Sequence, residues 1–368
     1  MGCPTKTPVT TVGVPLSAQS VIPRAATVAA GAFAPGHLGE LTQIVPFEMV
    51  DEVLGATMSV QRRVRDLPAR VVVYLLLAAG LFAELGYRQV WARLTVCLPG
   101  SARPSASALT QARRRVGAKP LRALFELLAG PDASTPWWRG LLVCALDGTQ
   151  MAVPDSAANL TRYARQAGHH GGTGYPLLRL LTVVACGTRT LLDAVFGPAG
   201  IGETTYAPTL VRCLRPSMLL LADRNFAVAS LIGEIAATEA DLLIRCKNGR
   251  RLASIRRYRD GSWLTQLGGV RLRVIEAEIT VTGSGPHQGK RRVARYRLLT
   301  TLTDHQRFPA TEIVELYHQR WEIETSYLEL KSGILGGRVL RARTPAGIEQ
   351  EVYALLVTYQ ALRTAMAD

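Results

Sequence analysis

The sequence lacks a hydrophobic run long enough to cross a bilayer. The longest uncharged apolar stretch covers residues 71–83, between Arg70 and Glu84, whereas a transmembrane helix needs about 20 apolar residues. The N-terminus holds one lysine, Lys6, and no compact apolar stretch behind it, so the sequence does not predict a signal peptide. We therefore expect a cytoplasmic protein with a buried helix at residues 71–83 and no membrane partner.

Paired cysteines are also missing. The six cysteines are widely spaced, form no Cys-x-x-Cys motif and have no histidine at a zinc-ligand spacing. They are Cys3, Cys97, Cys144, Cys186, Cys213 and Cys246. We expect free thiols that pack as small apolar side chains.

Acidic residues are scarce, with 28 Asp and Glu against 43 Lys and Arg, which gives a net charge of +15. A chain that is 48% hydrophobic can bury a core, so this excess belongs to a folded protein with a polyanionic partner. The excess is uneven, at +6 over residues 46–140, zero over 141–240 and +10 over 241–309. Two basic blocks around a neutral segment favour nucleic-acid binding, although one solvated arginine-rich surface is a common alternative.

The spacing of apolar residues divides the chain into four parts. We predict a loosely ordered leader at 1–45, an all-helical domain at 46–135, an α/β domain at 140–345 that includes a β-rich insertion at about 247–303, and a C-terminal helix at 346–368. In the helical domain, one helix begins at Ser105 or Ser107 and ends in Arg113, Arg114 and Arg115. Such a helix fits a DNA groove or a row of phosphates, but a surface helix with a charged end looks the same.

Two apolar segments of the α/β part each end at an aspartate. Residues 141–146 predict a buried strand that ends at Asp147 before a Gly148-Thr149 turn, and residues 218–222 predict another that ends at Asp223. Neighbouring strands bring such ends together, and carboxylates suit Mg²⁺ or Mn²⁺. Aspartates at strand ends are also ordinary turn residues, which is how we interpret Asp155 and Asp193.

A predicted helix over residues 310–333 supplies a third carboxylate. At about 100° per residue, Tyr317, Arg320, Glu324 and Lys331 fall within about 60° of one another, while Glu315, Glu322 and Glu329 lie on the opposite face. We interpret the opposite face as a solvated charge stripe. A carboxylate among two cations and a tyrosine suits a site that binds both a metal ion and phosphates.

These residues resemble the motifs of a known family. The pattern Tyr317-x2-Arg320-x3-Glu324-x6-Lys331 resembles the YREK signature of the IS4-type DDE transposases. The segments around Asp147 (146–149) and Asp223 (222–226) resemble the first and second Asp motifs of that family. Three further segments, 63–70, 81–91 and 107–115, are similar to its amino-terminal domain. The resemblance covers roughly residues 46–368.

The resemblance implies a fold and an activity. The fold would be an α/β ribonuclease H-like catalytic core with a β-rich insertion, preceded by an all-helical DNA-binding domain. The activity would be cut-and-paste transposition of an insertion sequence by a homodimer on terminal inverted repeats and target DNA, through a hairpin intermediate, in the cytoplasm at the nucleoid. Asp147, Asp223 and Glu324 would be catalytic and would hold two Mg²⁺ or Mn²⁺ ions. The expected DNA-binding residues are Tyr317, Arg320, Lys331, Arg113, Arg114, Arg115, Arg250 and Arg251.

Some alternatives stay open. Similar proteins usually continue beyond residue 368, so one reading is a truncated or domesticated transposase-derived protein that binds DNA without transposing it. Another is a structure-selective nuclease on the same core. Trp321 is interpreted either as a residue close to the site or as a core residue. Trp263 is a candidate for stacking on a flipped base.

Overall fold

A computed structural model describes residues 41–61, 67–96, 103–165, 174–282 and 291–367 of the protein. Residues 1–40 of the predicted leader lie outside the described residues, as do Arg63, Arg65 and two of the cysteines. Of the described cysteines, Cys144, Cys186 and Cys246 are buried, Cys213 is partly buried, and all four are free thiols, as predicted. No described helix is long and apolar enough to span a membrane.

The N-terminal part is helical. Its helices are α1 (Phe47–Ala56), α2 (Ala69–Leu81), α3 (Tyr87–Leu94), α4 (Ala106–Val116) and α5 (Lys119–Leu128). Helix α2 contains the long apolar run and is buried along most of its length, which confirms the prediction of a buried helix. Ser105 caps α4, because its hydroxyl accepts a hydrogen bond from the Ala108 N–H at 3.1 Å. Gly117 ends α4 with a φ of 69°, a conformation that favours glycine.

Ten strands of the described residues form one continuous sheet. They are β1 (Trp137–Trp138), β2 (Leu141–Ala152), β3 (Leu177–Ala185), β4 (Leu191–Pro198), β5 (Met218–Ala222), β6 (Asp241–Cys246), β7 (Arg256–Arg257), β8 (Trp263–Leu267), β9 (Val270–Thr282) and β10 (Arg291–Thr300). The remaining α-helices are α6 (Ala157–Leu160), α7 (Glu203–Leu210), α8 (Ala229–Ala237), α9 (Ala310–Tyr317), α10 (Trp321–Leu328) and α11 (Pro345–Ala367).

The strand order is β4-β3-β2-β5-β6-β10-β9-β8-β7, with β1 paired to β2. Strands β2, β5 and β6 run parallel at the centre, β3 pairs antiparallel with β2, and β4 pairs antiparallel with β3. This order confirms the predicted ribonuclease H-like core. Strand β10 pairs antiparallel with β6, so the predicted β-rich insertion extends the same sheet.

The two faces of the sheet have separate apolar cores because successive side chains alternate between faces. Val143 and Leu221 belong to the core that faces α9, α10, α11 and the N-terminal helices. Leu146 and Leu220 belong to the core on the other face, beneath α7 and α8. Covering both faces explains why the central strands read as uninterrupted apolar runs.

The C-terminal helix α11 packs among the N-terminal helices. Gly80 of α2 lies against it so closely that a Cβ at this position would stand 2.9 Å from the Thr358 hydroxyl oxygen. The Gln350 amide of α11 donates to the carbonyls of Arg113 and Gly117 at the end of α4, at 2.9 and 2.7 Å. The two ends of the described chain therefore share one core.

Three predictions about the strands and helices are wrong. There is no turn at Gly148-Thr149. The parallel pairing of β2 with β5 ends at Leu146, but β2 stays paired with β3 and continues to Ala152. Asp193 is not a turn residue but lies buried within β4, paired with Arg212 at 2.7 Å. The predicted helix over 310–333 is interrupted, since a 3₁₀ turn follows α9 and a π-helical segment, Glu329–Ile334, follows α10.

Candidate active site

The first two carboxylates lie side by side at one end of the parallel strands. Leu146 of β2 is level with Ala222 of β5, and Ala222 is level with Ile244 of β6. The next residues, Asp147, Asp223 and Arg245, therefore form a row across the sheet. The Arg245 guanidinium lies 4.0 Å from the Asp223 carboxylate and over the Tyr296 ring, 4.1 Å from its centroid.

Arg320 connects the third carboxylate to this row. Its guanidinium nitrogens lie 2.9 Å from Glu324 Oε1 and 3.4 Å from Asp147 Oδ2. Only 10% of the Arg320 side chain is exposed, so this positive charge has little water to stabilise it. The segment over 310–333 thus brings Glu324 toward Asp147 through a shared arginine.

Two other members of the predicted helix face contact the same strands. The Tyr317 hydroxyl donates to the Ala222 carbonyl at 3.1 Å, next to Asp223, and its ring is buried. The Lys331 ammonium lies 3.4 Å from the Thr149 hydroxyl, two residues after Asp147. The predicted face therefore turns toward the ends of β2 and β5.

Burial raises the pKa of the Asp147 carboxyl to about 6, against the opposing effects of the Gly148 N–H and the Arg320 guanidinium. The Gly148 amide donates to Asp147 Oδ1 at 2.8 Å. The Gly148 N–H and the Arg320 guanidinium therefore do not fully offset the cost of burying the negative charge of Asp147. Groups with pKa values shifted in this way concentrate at functional sites.

The donor set suits a hard divalent ion, because the candidate ligands are all carboxylates. Among the described residues, no three acidic, histidine or cysteine side chains converge closely enough to hold an ion. Between Asp147 and Glu324 lies the Arg320 guanidinium. The carboxylates are thus of the type that binds hard divalent ions, with a cationic side chain between two of them.

Tyr327 is a site residue that the sequence interpretation missed. Its buried hydroxyl donates to the carbonyl of Asp147 and lies 3.0 Å from the Thr182 hydroxyl. Burial raises its pKa far above the ordinary value for tyrosine, so the hydroxyl keeps its proton. On a helical wheel Tyr327 falls at about 280° from Tyr317, beside Arg320. The spacing along the sequence therefore already placed Tyr327 next to the predicted face.

Comparison with known proteins identifies the family. Residues 138–360 match the family model described as "Transposase DDE domain". The chain belongs to the DDE transposase family. Residues 35–126 match the model "Insertion element 4 transposase N-terminal", so the protein is a DNA transposase of the IS4 type. Both results confirm the resemblance found in the sequence.

The transposase is similar to several individual proteins. It is 29% identical over 338 residues to the transposase InsG for insertion sequence element IS4 of Escherichia coli (strain K12), covering 87% of this chain and 74% of InsG. It is 28% identical over 196 residues to the putative transposase InsZ of the same organism, covering 51% of this chain and 64% of InsZ. Among solved structures, a piggyBac transposase synaptic complex with hairpin DNA matches with a TM-score of 0.46 and 11% identity, covering 90% of this chain and 74% of that chain.

The opposite face of the transposase helix is not the solvated stripe that we predicted. Glu315 is exposed, but Glu329 lies 2.8 Å from Arg189 and 3.6 Å from Arg363. Glu322 lies 3.4 Å from Arg189. This face of the transposase is an ion-pair network that ties the segment to the β3–β4 hairpin and to α11.

The expected DNA-binding arginines differ in their surroundings. Arg113 stacks on the Tyr87 ring, 3.9 Å from its centroid, whereas Arg114 and Arg115 are exposed. The Arg250 guanidinium donates to the Ala227 carbonyl, whereas Arg251 is exposed. Arg114, Arg115 and Arg251 are therefore the members of these groups that face outward in the transposase.

The two tryptophans also differ. Trp321 is 54% exposed beside Arg320, so the core interpretation is wrong and the residue lies at the surface next to the site. Trp263 of β8 is half-buried and lies between two arginines, with its ring centroid 5.9 Å from Arg257 and 6.0 Å from Arg297. Its buried indole nitrogen has no hydrogen-bond partner within the part of the chain that the structure describes.

Proposed function

We propose that this transposase moves an insertion sequence by cut-and-paste, cleaving DNA at the ends of the element and joining the freed ends to a target. The observation that carries the proposal is the row of Asp147 and Asp223 at adjacent strand ends, with Glu324 brought to it through Arg320. A group of carboxylates flanked by arginine and lysine suits a reaction at a phosphodiester. The negative charge of the phosphate must be stabilised while one bond to phosphorus forms and another breaks.

The proposed cofactors are two divalent ions, Mg²⁺ or Mn²⁺, held by Asp147, Asp223 and Glu324. When bound, such ions activate the attacking oxygen and stabilise the leaving oxygen of an in-line displacement. The protein's part is to place the ligands at two strand ends and one helix. Arg320 and Lys331 supply positive charge for the non-bridging phosphate oxygens, and the exposed Trp321 lies beside Arg320 at the mouth of the site.

The bond changes follow the order that the family resemblance implies. Water attacks a phosphorus at the element end, and the bond to the 3′ oxygen breaks, which leaves a 3′-hydroxyl and a 5′-phosphate. That 3′-hydroxyl then attacks the opposite strand to form a hairpin and release the flanking DNA. Hydrolysis of the hairpin phosphodiester restores the 3′-hydroxyl and leaves a 5′-phosphate. This 3′-hydroxyl then attacks a target phosphodiester, where it bonds to the phosphorus and displaces the 3′ oxygen of the target strand.

We assign DNA binding to the two basic regions. The helical region at 46–135 presents Arg114 and Arg115. The segment beyond β6 presents Arg251 in a loop and Arg256 and Arg257 on β7, the strand at one edge of the sheet. A homodimer would bring two terminal inverted repeats together before cutting. The charge of these regions supports the assignment, since phosphate contacts dominate binding to DNA.

A cleavage assay tests the function. The substrate is a duplex with the inverted repeats that flank the gene, and with MgCl₂ we expect nicks at the repeat ends, hairpins, and joining to a second duplex. EDTA is expected to abolish all three. Equal cutting of an unrelated duplex without joining would indicate a nuclease, and binding without cutting would indicate a DNA-binding protein.

Replacing Arg114 and Arg115 by alanine is expected to weaken binding to the repeats about 10-fold at 0.15 M salt. The slope of log K against log salt should fall by about 2, since each phosphate contact contributes about 0.9. Gel shift at several salt concentrations measures both quantities. The matched control is Arg122→Ala, which removes an exposed arginine of α5 that pairs with Glu126 at 2.8 Å. Unchanged affinity in the double variant would remove α4 from the DNA-binding surface.

A further inference from the structure

The hydroxyl of Tyr327 lies at one particular pair of the β2–β3 ladder. Asp147 of β2 and Thr182 of β3 are direct partners in that ladder. The Tyr327 hydroxyl donates to the Asp147 carbonyl, accepts from the Thr182 N–H at 3.2 Å and lies 3.0 Å from the Thr182 hydroxyl. A side chain from a helix thus bridges two strands at the residue that carries the first catalytic carboxylate.

The position of Tyr327 on its helix gives the bridge a consequence. Tyr327 follows Glu324 by three residues within α10, and one helical turn contains about 3.6 residues. The two side chains therefore project from neighbouring points of one helix surface. A bond that fixes Tyr327 to the backbone of Asp147 also fixes the distance between Asp147 and the backbone of Glu324.

The other end of the segment is attached in the same manner. Ten residues earlier, Tyr317 donates to the Ala222 carbonyl, next to Asp223. Each strand that carries a catalytic aspartate is therefore hydrogen-bonded to the helical segment by one tyrosine. Tyr317 belongs to the YREK signature, whereas Tyr327 lies outside it.

We propose that Tyr327 is a positioning residue that sets the separation of Asp147 and Glu324 by bridging the β2–β3 ladder at Asp147. This rests on the proposed function, because it takes both carboxylates as ligands of the same ions. The hydroxyl, and not the ring, is the active part. The ring packs in the apolar core beneath the sheet and would be kept by phenylalanine.

The test is Tyr327→Phe in the full-length protein, which removes one oxygen and keeps the ring. We expect the Mn²⁺ concentration for half-maximal cleavage to rise about 10- to 100-fold, the range seen when residues that orient metal ligands are changed. Affinity for the terminal repeats, measured in EDTA, and the Tm should stay within error of the unchanged protein. A shift in metal dependence at constant DNA affinity is not expected from a residue that only fills the core.

Thr182→Val supplies a second measurement, since it removes only the hydroxyl partner of Tyr327 and keeps the shape of the side chain. We expect a smaller shift of the same kind, and this variant decides the question if Tyr327→Phe does not fold. The matched control is Tyr74→Phe, which removes a buried hydroxyl that donates to the Val45 carbonyl in the helical region. Its metal dependence should be unchanged.

Unchanged metal dependence in both Tyr327→Phe and Thr182→Val would overturn the proposal. A loss of activity that merely follows a loss of Tm or of DNA affinity would overturn it too. Failure of the proposed function gives a different result, namely that Asp147→Ala cleaves as fast as the unchanged protein. The two failures are therefore distinguishable in one assay.

Discussion

Replacing Asp147, Asp223 or Glu324 by alanine is expected to lower the rate of end cleavage at least about 10³-fold. Loss of a ligand removes charge stabilisation worth several kcal/mol at the reacting phosphate, and about 4 kcal/mol corresponds to that factor. The rate is measured on a labelled duplex with the terminal repeats, at saturating protein and in single turnover. Binding of the same duplex in EDTA should change little, because we assign DNA binding to the basic regions and not to these carboxylates.

Two controls lie close to the replaced residues. Glu322→Gln changes a glutamate two positions from Glu324 that pairs with Arg189 on the opposite face. Asp155→Asn changes a partly exposed aspartate beyond the end of β2 that pairs with Arg165. Both should cleave within a few-fold of the unchanged protein. If the three alanine variants cut as well as these controls, the triad is assigned wrongly.

Asp147→Asn separates loss of chemistry from loss of fold. Burial raises the pKa of Asp147 to about 6 in the folded protein, against about 3.9 in an unfolded chain. The folded state then binds the proton more tightly, so its stability falls as the pH rises from about 4 to about 6 and stays reduced above that. Asparagine removes this cost. We expect an inactive variant that is more stable than the parent by about 2 kcal/mol at pH 7.5 in EDTA.

The sequence predicted the neighbouring positions of Asp147 and Asp223 at one end of the sheet because the signals for them are local. Apolar runs that end at Asp147 and Asp223 define two buried strands, and the parallel pairing of such strands brings their ends together. The helical wheel likewise separated Glu324 from Glu322 without any knowledge of the sheet. These predictions depend only on spacing along the chain, which the sequence contains in full.

The features that were missed depend on partners far away in the chain. Strand β2 continues through Gly148 because β3 pairs with it there, and nothing next to Gly148 records that pairing. The sequence indicated a solvated Glu329 because its two partners are far away along the chain. Arg189 lies in the β3–β4 hairpin and Arg363 in α11. Tyr327 lay close to the predicted face, but its partners include the Asp147 carbonyl and the Thr182 N–H. Nearly every residue has these backbone groups, so the sequence does not show which of them Tyr327 contacts.

Replacing Arg320 by alanine is expected to change three measured quantities in different directions. In EDTA the Tm should fall, because Asp147 and Glu324 lose the cation between them. Breaking a buried pair by removing one partner costs about 3–5 kcal/mol, and the 40% exposure of the Glu324 side chain reduces this cost. Added Mn²⁺ should raise the Tm more than it does in the unchanged protein, since the ion no longer competes with the guanidinium for the two carboxylates. Cleavage should nevertheless fall about 10²- to 10³-fold, the usual effect of removing a group that stabilises transition-state charge.

Arg320→Lys tests whether the geometry or the charge of Arg320 matters. An ammonium is a compact point charge that lacks the planar fork of arginine, so it cannot reach Asp147 and Glu324 in the same way, and we expect values between those of arginine and alanine. The matched control is Arg139→Ala, which removes an arginine paired at 2.7 Å with Glu312 of α9, on the same helical segment. Its response to Mn²⁺ should equal that of the unchanged protein. An Arg320→Ala variant with an unaltered Mn²⁺ response would show that the guanidinium and the ion do not compete, and Arg320 would then act on the phosphate alone.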